Sequence, residues 1–157
     1  MQRNTAVIRV GRLLEVRVNF GYRTRADVDS VFDQIDHALL RLAPSQRVVT
    51  VVDWRRCPVM AADAAQRMVE RIQLNNGRTE RSAVLAGTGA PTAVLQFVRL
   101  IREAGHPDRK MFFDDGELVA WLGGSLSALE SLRLCRFVEE NGESSNKRAP
   151  AHPTDAP

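Results

Sequence analysis

The chain has few cysteines and no long apolar stretch. Cys57 and Cys135 are its two cysteines, and they stand far apart without metal-type spacing. We therefore predict free thiols in a reducing compartment, although a disulfide between them stays open. No apolar run approaches the ~20 residues that span a bilayer, and the first residues alternate in polarity where a signal peptide would be uniformly apolar. These absences predict a cytoplasmic protein without a membrane partner.

Blocks of basic residues are absent as well. The net charge is +3, and nearly all the positive charge is arginine interleaved with aspartate and glutamate. Proteins that bind nucleic acids release counterions from phosphates, and they concentrate Lys and Arg in patches for this purpose. Aromatic residues, which stack on bases, make up only 6% of the chain. The sequence therefore argues against a nucleic-acid partner.

Catalytic and metal-binding groupings are also missing. His37, His106 and His152 have no metal-type spacing. The pair Asp114-Asp115 precedes a glycine, which is typical of a turn or helix cap, whereas an acid/base dyad needs two carboxylates held in one pocket. We therefore expect no metal, no cofactor and no enzymatic activity.

Alternating strands and helices account for most of the chain. Residues 5–10 and 13–20 alternate in polarity and predict a pair of adjacent strands. Thr24 followed by Asp27 predicts a capping box at the start of the first helix. Apolar residues at three- and four-residue spacing mark the buried face of each helix. In the third helix this face is expected to comprise Val94, Phe97, Val98 and Ile101.

The order of the elements predicts the fold class. Residues 48–52 are apolar almost without alternation, which is typical of a central strand covered on both faces. The order β-β-α-β-α-β-α-β-α-α predicts an α/β domain with a mixed sheet of four to five strands, helices on both faces and an extra C-terminal helix. We place this domain at residues 1–140. Residues 141–157 have almost nothing to bury and are predicted to be a disordered tail.

The stretch after the central strand carries a resemblance to a known family. Residues 49–60 read VTVVDWRRCPVM, and they are followed by a second buried strand at 82–87 and a turn, GAP, at 89–91. This arrangement resembles the STAS superfamily, the fold of anti-sigma-factor antagonists and of the cytoplasmic domains of sulphate transporters, over residues 5–122. The resemblance implies one STAS-like domain in a bacterial regulatory protein.

The family's phosphorylation site has no counterpart here. In that family the helix after the central strand begins with an Asp-Ser-Ser/Thr-Gly-like segment, whose hydroxyl is phosphorylated by a partner kinase. Residues 60–65 read MAADAA and contain no hydroxyl. The resemblance therefore implies a binding surface around this turn and helix without the usual switch. It also implies a protein partner such as a regulatory kinase or an anti-sigma factor, while a homodimer stays open.

Asp63 is the acidic residue of this predicted helix start. The positive end of the helix dipole favours a carboxylate there. Asp63 is either a constitutive negative charge at the switch position or a first-turn acid that stabilises its own helix, and we favour the second interpretation. It is also spaced to pair with Arg67.

Arginines are the other candidate partner-binding residues. Arg55 and Arg56 follow the central strand, and Arg67 and Arg71 lie on the next helix. If neighbouring helices bring further arginines beside them, the surface could bind an acidic partner. The further arginines of this set are Arg78, Arg81, Arg99, Arg102 and Arg109. The simpler interpretation is a solvated face paired with Glu70, Glu80 and Glu103.

Two other places could bind a small molecule or react. The candidate ligand turn comprises Gly87, Thr88, Gly89 and Thr92. It has the location of a phosphate-binding loop but matches neither common glycine signature, so a plain turn with proline near the helix start is favoured. Cys57 lies beside two arginines that could lower its pKa, although a cysteine just after a strand is more often packed.

Three functions are therefore under consideration. The first is a non-enzymatic regulatory protein-protein interaction module that resembles anti-sigma-factor antagonists. The alternative is a domain of the same fold that senses a small anionic or lipidic ligand near residues 87–92. The third, an enzyme that uses Cys57, requires a thiol much more reactive than that of Cys135.

Overall fold

The computed structural model describes residues 3–146, with side chains described up to Glu140. Strands and helices alternate in the predicted order. The strands are β1 (Thr5–Ile8), β2 (Leu13–Arg17), β3 (Val48–Trp54), β4 (Thr79–Ala86) and β5 (Arg109–Phe112). The helices are α1 (Arg25–Leu39), α2 (Ala62–Asn75), α3 (Pro91–Ala104), α4 (Asp115–Gly123) and α5 (Ala128–Asn146). One turn of 3₁₀ helix, Asn76–Arg78, joins α2 to β4.

The strands form one mixed sheet in the order β1-β2-β3-β4-β5. β1 is antiparallel to β2, and the other neighbouring strands are parallel. β3 therefore lies at the centre of the sheet, where helices cover both faces, and this explains its unbroken apolar sequence. The predicted α/β class with a mixed sheet is confirmed.

The helices form a layer on each face of the sheet. The connections β2–α1–β3, β3–α2–β4 and β4–α3–β5 are right-handed crossovers, and each leads to the next strand in the same direction across the sheet. Helices α1, α2 and α3 therefore lie on the same face. Side chains such as Phe32, Met68 and Phe97 pack this layer against the sheet. On the other face, Leu122 of α4 and Phe137 of α5 belong to a second core cluster.

Helix α1 begins with the predicted capping box. The Thr24 hydroxyl accepts a hydrogen bond from the Asp27 N–H at 3.2 Å, and the Asp27 carboxylate accepts one from the Thr24 N–H at 2.9 Å. Such a cap stabilises a helix start by about 1 kcal/mol.

Helix α3 has a buried face that differs from the predicted one. Phe97 is buried as expected, but Val98 is 37% exposed. The face instead includes Ala93, Leu100 and Ala104. These residues recur at spacings of three and four around Phe97, and Val98 lies beside the face that they form.

Helix α5 runs past the predicted domain boundary. Its backbone continues from Ala128 to Asn146, so the first residues beyond 140 are helical. Residues 147–157 lie outside the described residues, and the division at 140 stays a prediction. Within residues 3–146, no helix has both the length and the apolar composition needed to cross a bilayer.

Candidate functional site

The turn between β3 and α2, residues 55–61, is held tightly by two glycines. Gly21 has φ +91°, and a Cβ there would lie 2.9 Å from the Pro58 ring. A Cβ at Gly87 would lie 2.8 Å from the carbonyl oxygen of Arg55. Because no larger residue fits at either position without movement, the turn is packed between the β2–α1 and β4–α3 loops. We call residues 55–61 the clamped turn.

A glutamine of α3 fixes the end of the clamped turn. The Gln96 Oε1 accepts a hydrogen bond from the Met60 N–H at 2.8 Å, and its Nε2 donates to the Met60 carbonyl at 2.9 Å. The Met60 side chain is buried at 3% exposure. One side chain thus satisfies both backbone groups of Met60 and fastens the turn to the neighbouring helix.

Arg55 holds the beginning of the clamped turn against the sheet. Its Nε and Nη2 donate to the two oxygens of buried Asp53, each at 3.0 Å, and Nη2 also donates to the Val138 carbonyl of α5. Arg55, which the sequence suggests as a partner-binding residue, is therefore engaged within the domain. The next residue, Arg56, is exposed, and within residues 3–146 it makes no ion pair.

The outer side of the clamped turn carries apolar and charged groups. Val59 is 50% exposed, and Pro58 and Ala61 beside it are exposed. Helix α2 then begins at an Ala61 N-cap, which offers no side-chain cap. Asp63 is exposed in the first turn, and its Oδ1 accepts a hydrogen bond from the Ala64 N–H at 2.9 Å. The structure therefore brings Arg56, Val59 and Asp63 to one end of the molecule.

Arg67 and Arg71 point to α1, away from α3. Arg67 Nε donates to Asp29 at 2.8 Å, and Arg71 Nη1 donates to the same oxygen at 2.9 Å. Hydrogen bonding from Arg67 and then Arg71 lowers the pKa of Asp29, although burial opposes the shift. Further ion pairs join these arginines to Glu70, Asp33 and Asp36. The predicted Asp63 to Arg67 pair is thus replaced by a bridge between two helices.

The remaining arginines are divided among several places. Arg81 lies on the opposite face of the sheet, where it donates to the Trp121 carbonyl at 2.8 Å. Arg99 pairs with Glu103 on the surface of α3. Arg78 and Arg109 line a partly open cavity between the helices and the sheet. The single arginine surface considered across α2 and α3 is therefore not assembled among the described residues.

The candidate ligand turn lies beside the clamped turn. Thr88, Gly89 and Thr92 are exposed, and Gly87 is half-buried. Pro91 is at the first position of α3, as expected for a plain turn that starts a helix. A cavity of about 70 Å³ lies beneath it, lined in part by Trp54 and Cys57.

Cys57 is packed inside. It is 4% exposed, and burial raises the pKa of its thiol to about 12. The thiol is therefore protonated at neutral pH, the reverse of the activation that neighbouring arginines could provide. Cys135 is half-buried.

The two histidines among the described residues lie on different parts of the chain. His37 lies on α1, His106 follows α3, and His152 lies outside the described residues. Among residues 3–146, no group of three or more metal-ligating side chains is present.

Sequence reasoning missed the residues that fix the clamped turn and those that line the partly open cavity. Gln96 appears as one polar residue of an amphipathic helix, and its bonds to Met60 depend on how α3 packs. The position of Arg109 is indicated by the local sequence, because residues 109 and 111 of β5 are two apart and therefore point to the same face of the sheet. Met111 packs against the core on that face.

Comparison with known proteins identifies the fold. The chain matches no protein-family model and no curated protein. Its structure is similar to that of an uncharacterized protein of the DUF3478 family with a SpoIIAA-like fold from Shewanella loihica PV-4. The TM-score is 0.56 at 16% identity, over 78% of this chain and 97% of the other. The predicted likeness to anti-sigma-factor antagonists is thereby confirmed at the level of the fold.

Proposed function

We propose that this chain is a non-enzymatic protein-interaction module whose partner binds the clamped turn and the first turn of α2. The observation that carries the proposal is a turn with a fixed backbone and an outward-facing valine. Gly21, Gly87 and Gln96 hold the backbone, while Val59 is half exposed. A loop that is ordered before binding loses little conformational entropy when a partner docks, so even a small contact can be specific.

The chemistry of this end of the molecule suits a protein partner. Protein interfaces commonly combine an apolar centre with a polar rim. Val59 and Pro58 supply apolar surface, and Arg56 and Asp63 supply charges of opposite sign beside it. The SpoIIAA-like fold supports a regulatory partner, such as a kinase or an anti-sigma factor.

Control by phosphorylation is not part of the proposal at this position. Residues 60–65 carry no hydroxyl, and Asp63 places a permanent negative charge in the first turn of α2. A partner that binds here meets the same charge at all times. We therefore propose constitutive binding, regulated by the concentration of one of the two proteins.

The test is affinity capture from the native cell with matched variants. Val59→Glu introduces a charge at the centre of the proposed surface. Leu74→Glu introduces one far along α2, at an apolar residue that is 76% exposed. We expect the wild-type chain and Leu74→Glu to capture the same specific protein, and Val59→Glu to lose it. The proposal fails if no specific protein is recovered or if all three chains capture it equally.

Small-ligand sensing is a second candidate function. The observation that favours it is the partly open cavity lined by Arg78 and Arg109, which lies between the sheet and the α1–α3 layer. This cavity is distinct from the ligand turn at residues 87–92, and its chemistry can be argued on its own.

A further inference from the structure

An apolar slot lies beneath α1, α2 and α3. Alternate residues of β3, namely Val48, Thr50, Val52 and Trp54, all line it, so its lining follows the whole strand, a length of ~20 Å at ~3.3 Å per residue. The cavity volume is about 70 Å³. Protein interiors are normally packed without voids larger than a water molecule, so a slot of this size in the main core is unusual.

One end of the slot carries two guanidinium groups. Arg109 is the first residue of β5, and its Nη1 donates to Asn76 Oδ1 at 3.0 Å. Arg78 donates to the backbone carbonyls of Gln46 and Ala43. Within residues 3–146, neither arginine has a carboxylate partner.

Arg109 is therefore a cation without a counter-ion. Burial lowers the pKa of its guanidinium to about 10. Removing a charge from water is costly unless an opposite charge or several hydrogen bonds compensate it, and Asn76 supplies a single neutral acceptor. An anion at this place would supply the missing compensation.

The other end of the slot is aromatic. Trp54 is 4% exposed, and its ring lies 6.4 Å from that of Tyr22, which also lines the slot. The slot is therefore apolar towards Trp54 and cationic towards Arg109, which suits a ligand with one apolar end and one anionic end.

We propose that the slot binds a short-chain aliphatic carboxylate, with the carboxylate on Arg109 and Arg78 and the alkyl chain lying along β3 towards Trp54. A guanidinium matches the planar geometry of a carboxylate through two parallel hydrogen bonds. The carboxylate would give Arg109 the acidic partner that it lacks among the described residues, and the apolar lining along β3 suits an alkyl chain better than a polyoxyanion. The two arginines lie at the amino ends of β4 and β5, whereas the clamped turn follows the carboxyl end of β3. Binding of the carboxylate can therefore be tested separately from binding of the protein partner.

The size of the slot limits the chain length. A dry cavity of ~150 Å³ accepts benzene, and one water occupies ~30 Å³ in the liquid. The slot, at about 70 Å³, therefore accepts only a few methylene groups before the helices must move. Affinity should rise with each methylene until the slot is full and then stop rising.

Intrinsic fluorescence can measure this binding. Trp121 lies against Phe112 on the opposite face of the sheet, so Trp121→Phe leaves Trp54 as the only tryptophan reporter. We would titrate this variant with butyrate, hexanoate, octanoate and decanoate, and with 1-hexanol. We expect the dissociation constant to fall about fourfold per added methylene, the equivalent of ~0.8 kcal/mol, up to one chain length, and 1-hexanol to bind at least ~10-fold more weakly than hexanoate.

Three variants in the Trp121→Phe background assign the binding to the slot. Arg109→Gln should weaken hexanoate binding at least ~10-fold. Arg99→Gln, which removes an arginine that is 79% exposed, should leave it unchanged. Val52→Phe should fill the slot and abolish binding of every chain length, with thermal unfolding used to confirm that each variant folds.

Several results would overturn the proposal. They are a Trp54 signal that responds to no carboxylate, equal affinity for hexanoate and 1-hexanol, and unchanged binding in folded Arg109→Gln or Val52→Phe. A response to phosphatidylglycerol vesicles but not to the monomeric carboxylates would also overturn it, because it would indicate association with a membrane surface.

Discussion

Replacing Arg133 with leucine should strongly destabilise the domain. Arg133 lies on α5 and donates two hydrogen bonds, at 2.8 and 2.7 Å, to the carboxylate of Glu15 in β2. The Glu15 side chain is only 1% exposed. Arg133→Leu therefore leaves a buried carboxylate without its main partner, a change that typically costs ~3–5 kcal/mol.

The expected loss lies near the lower end of this range. Arg9 also lies 3.7 Å from Glu15, although its side chain is 58% exposed, and it can compensate part of the charge. We therefore expect a loss of ~3 kcal/mol in the free energy of unfolding, which lowers Tm by ~6–12 °C for a domain of this size. Glu15→Leu combined with Arg133→Leu should be much less harmful than Arg133→Leu alone, because replacing a whole buried pair by apolar groups is often neutral.

The assay is denaturant and thermal unfolding followed by circular dichroism. Arg136→Leu is the matched control, since Arg136 is an exposed arginine on the same helix, and it should change stability by less than ~0.5 kcal/mol. The reasoning is refuted if Arg133→Leu costs under ~1 kcal/mol, or if the double variant is less stable than Arg133→Leu.

Other parts of the structure make further predictions. Gly11→Ala should lower the free energy of unfolding, measured by chemical denaturation, by at least ~1–3 kcal/mol. Gly11 has φ +56°, and a Cβ there would lie 2.3 Å from Glu130 Oε2. Unchanged stability would contradict the described turn. Burial raises the pKa of Glu130, but hydrogen bonds from the Arg12 and Ser127 N–H groups and the Ser127 side chain outweigh it and lower the pKa overall. The Glu130 carboxylate therefore stabilises the fold above its unfolded pKa of ~4.3, and this stabilisation is lost as the pH falls through the lower folded pKa. Glu130→Gln should for this reason reduce the acid sensitivity of unfolding. An identical pH profile for the variant and the wild type would refute this. A thiol reagent applied to the native protein should label Cys135 and spare Cys57, because Cys57 is buried with a raised pKa; equal labelling of the two would contradict the packing.

Local sequence signals predicted the elements well because the relevant interactions are local or repeated. The capping box of Thr24 and Asp27 involves residues on the same helical turn. The apolar run of β3 indicated cover on both faces, and two helix layers provide it. Each of these features requires only a few neighbouring residues, so the sequence pattern was sufficient.

Buried charges were harder to predict because their partners are distant in sequence. Glu15 alternates with apolar residues in β2, a pattern that normally places a carboxylate in solvent. It is buried at 2% exposure because α5, more than 100 residues later, covers that face and supplies Arg133. The pattern of β2 contains no information about what α5 will cover.

The ion pairs of the α2 arginines follow from the sequence only when its charge pattern is combined with the topology. Asp29, Asp33 and Asp36 form an acidic face on α1, and Arg67 and Arg71 form a basic one on α2. Two successive right-handed crossovers place α1 and α2 side by side. Taken together, the two charge patterns indicate a bridge between the helices and not a free binding surface.

The clamped turn and the slot meet at Trp54, and their geometry favours independent binding. The Trp54 ring lies 4.7 Å from that of Phe97, which is adjacent in sequence to Gln96, the residue that holds Met60. A ligand in the slot could change partner binding only if the turn had a second arrangement that the ligand prefers. Gly21, Gly87 and Gln96 all hold the described arrangement, and the fully buried Phe97 resists displacement because the core around it is densely packed. A turn held in this way suits constitutive recognition, which agrees with the absence of a phosphorylatable hydroxyl at residues 60–65.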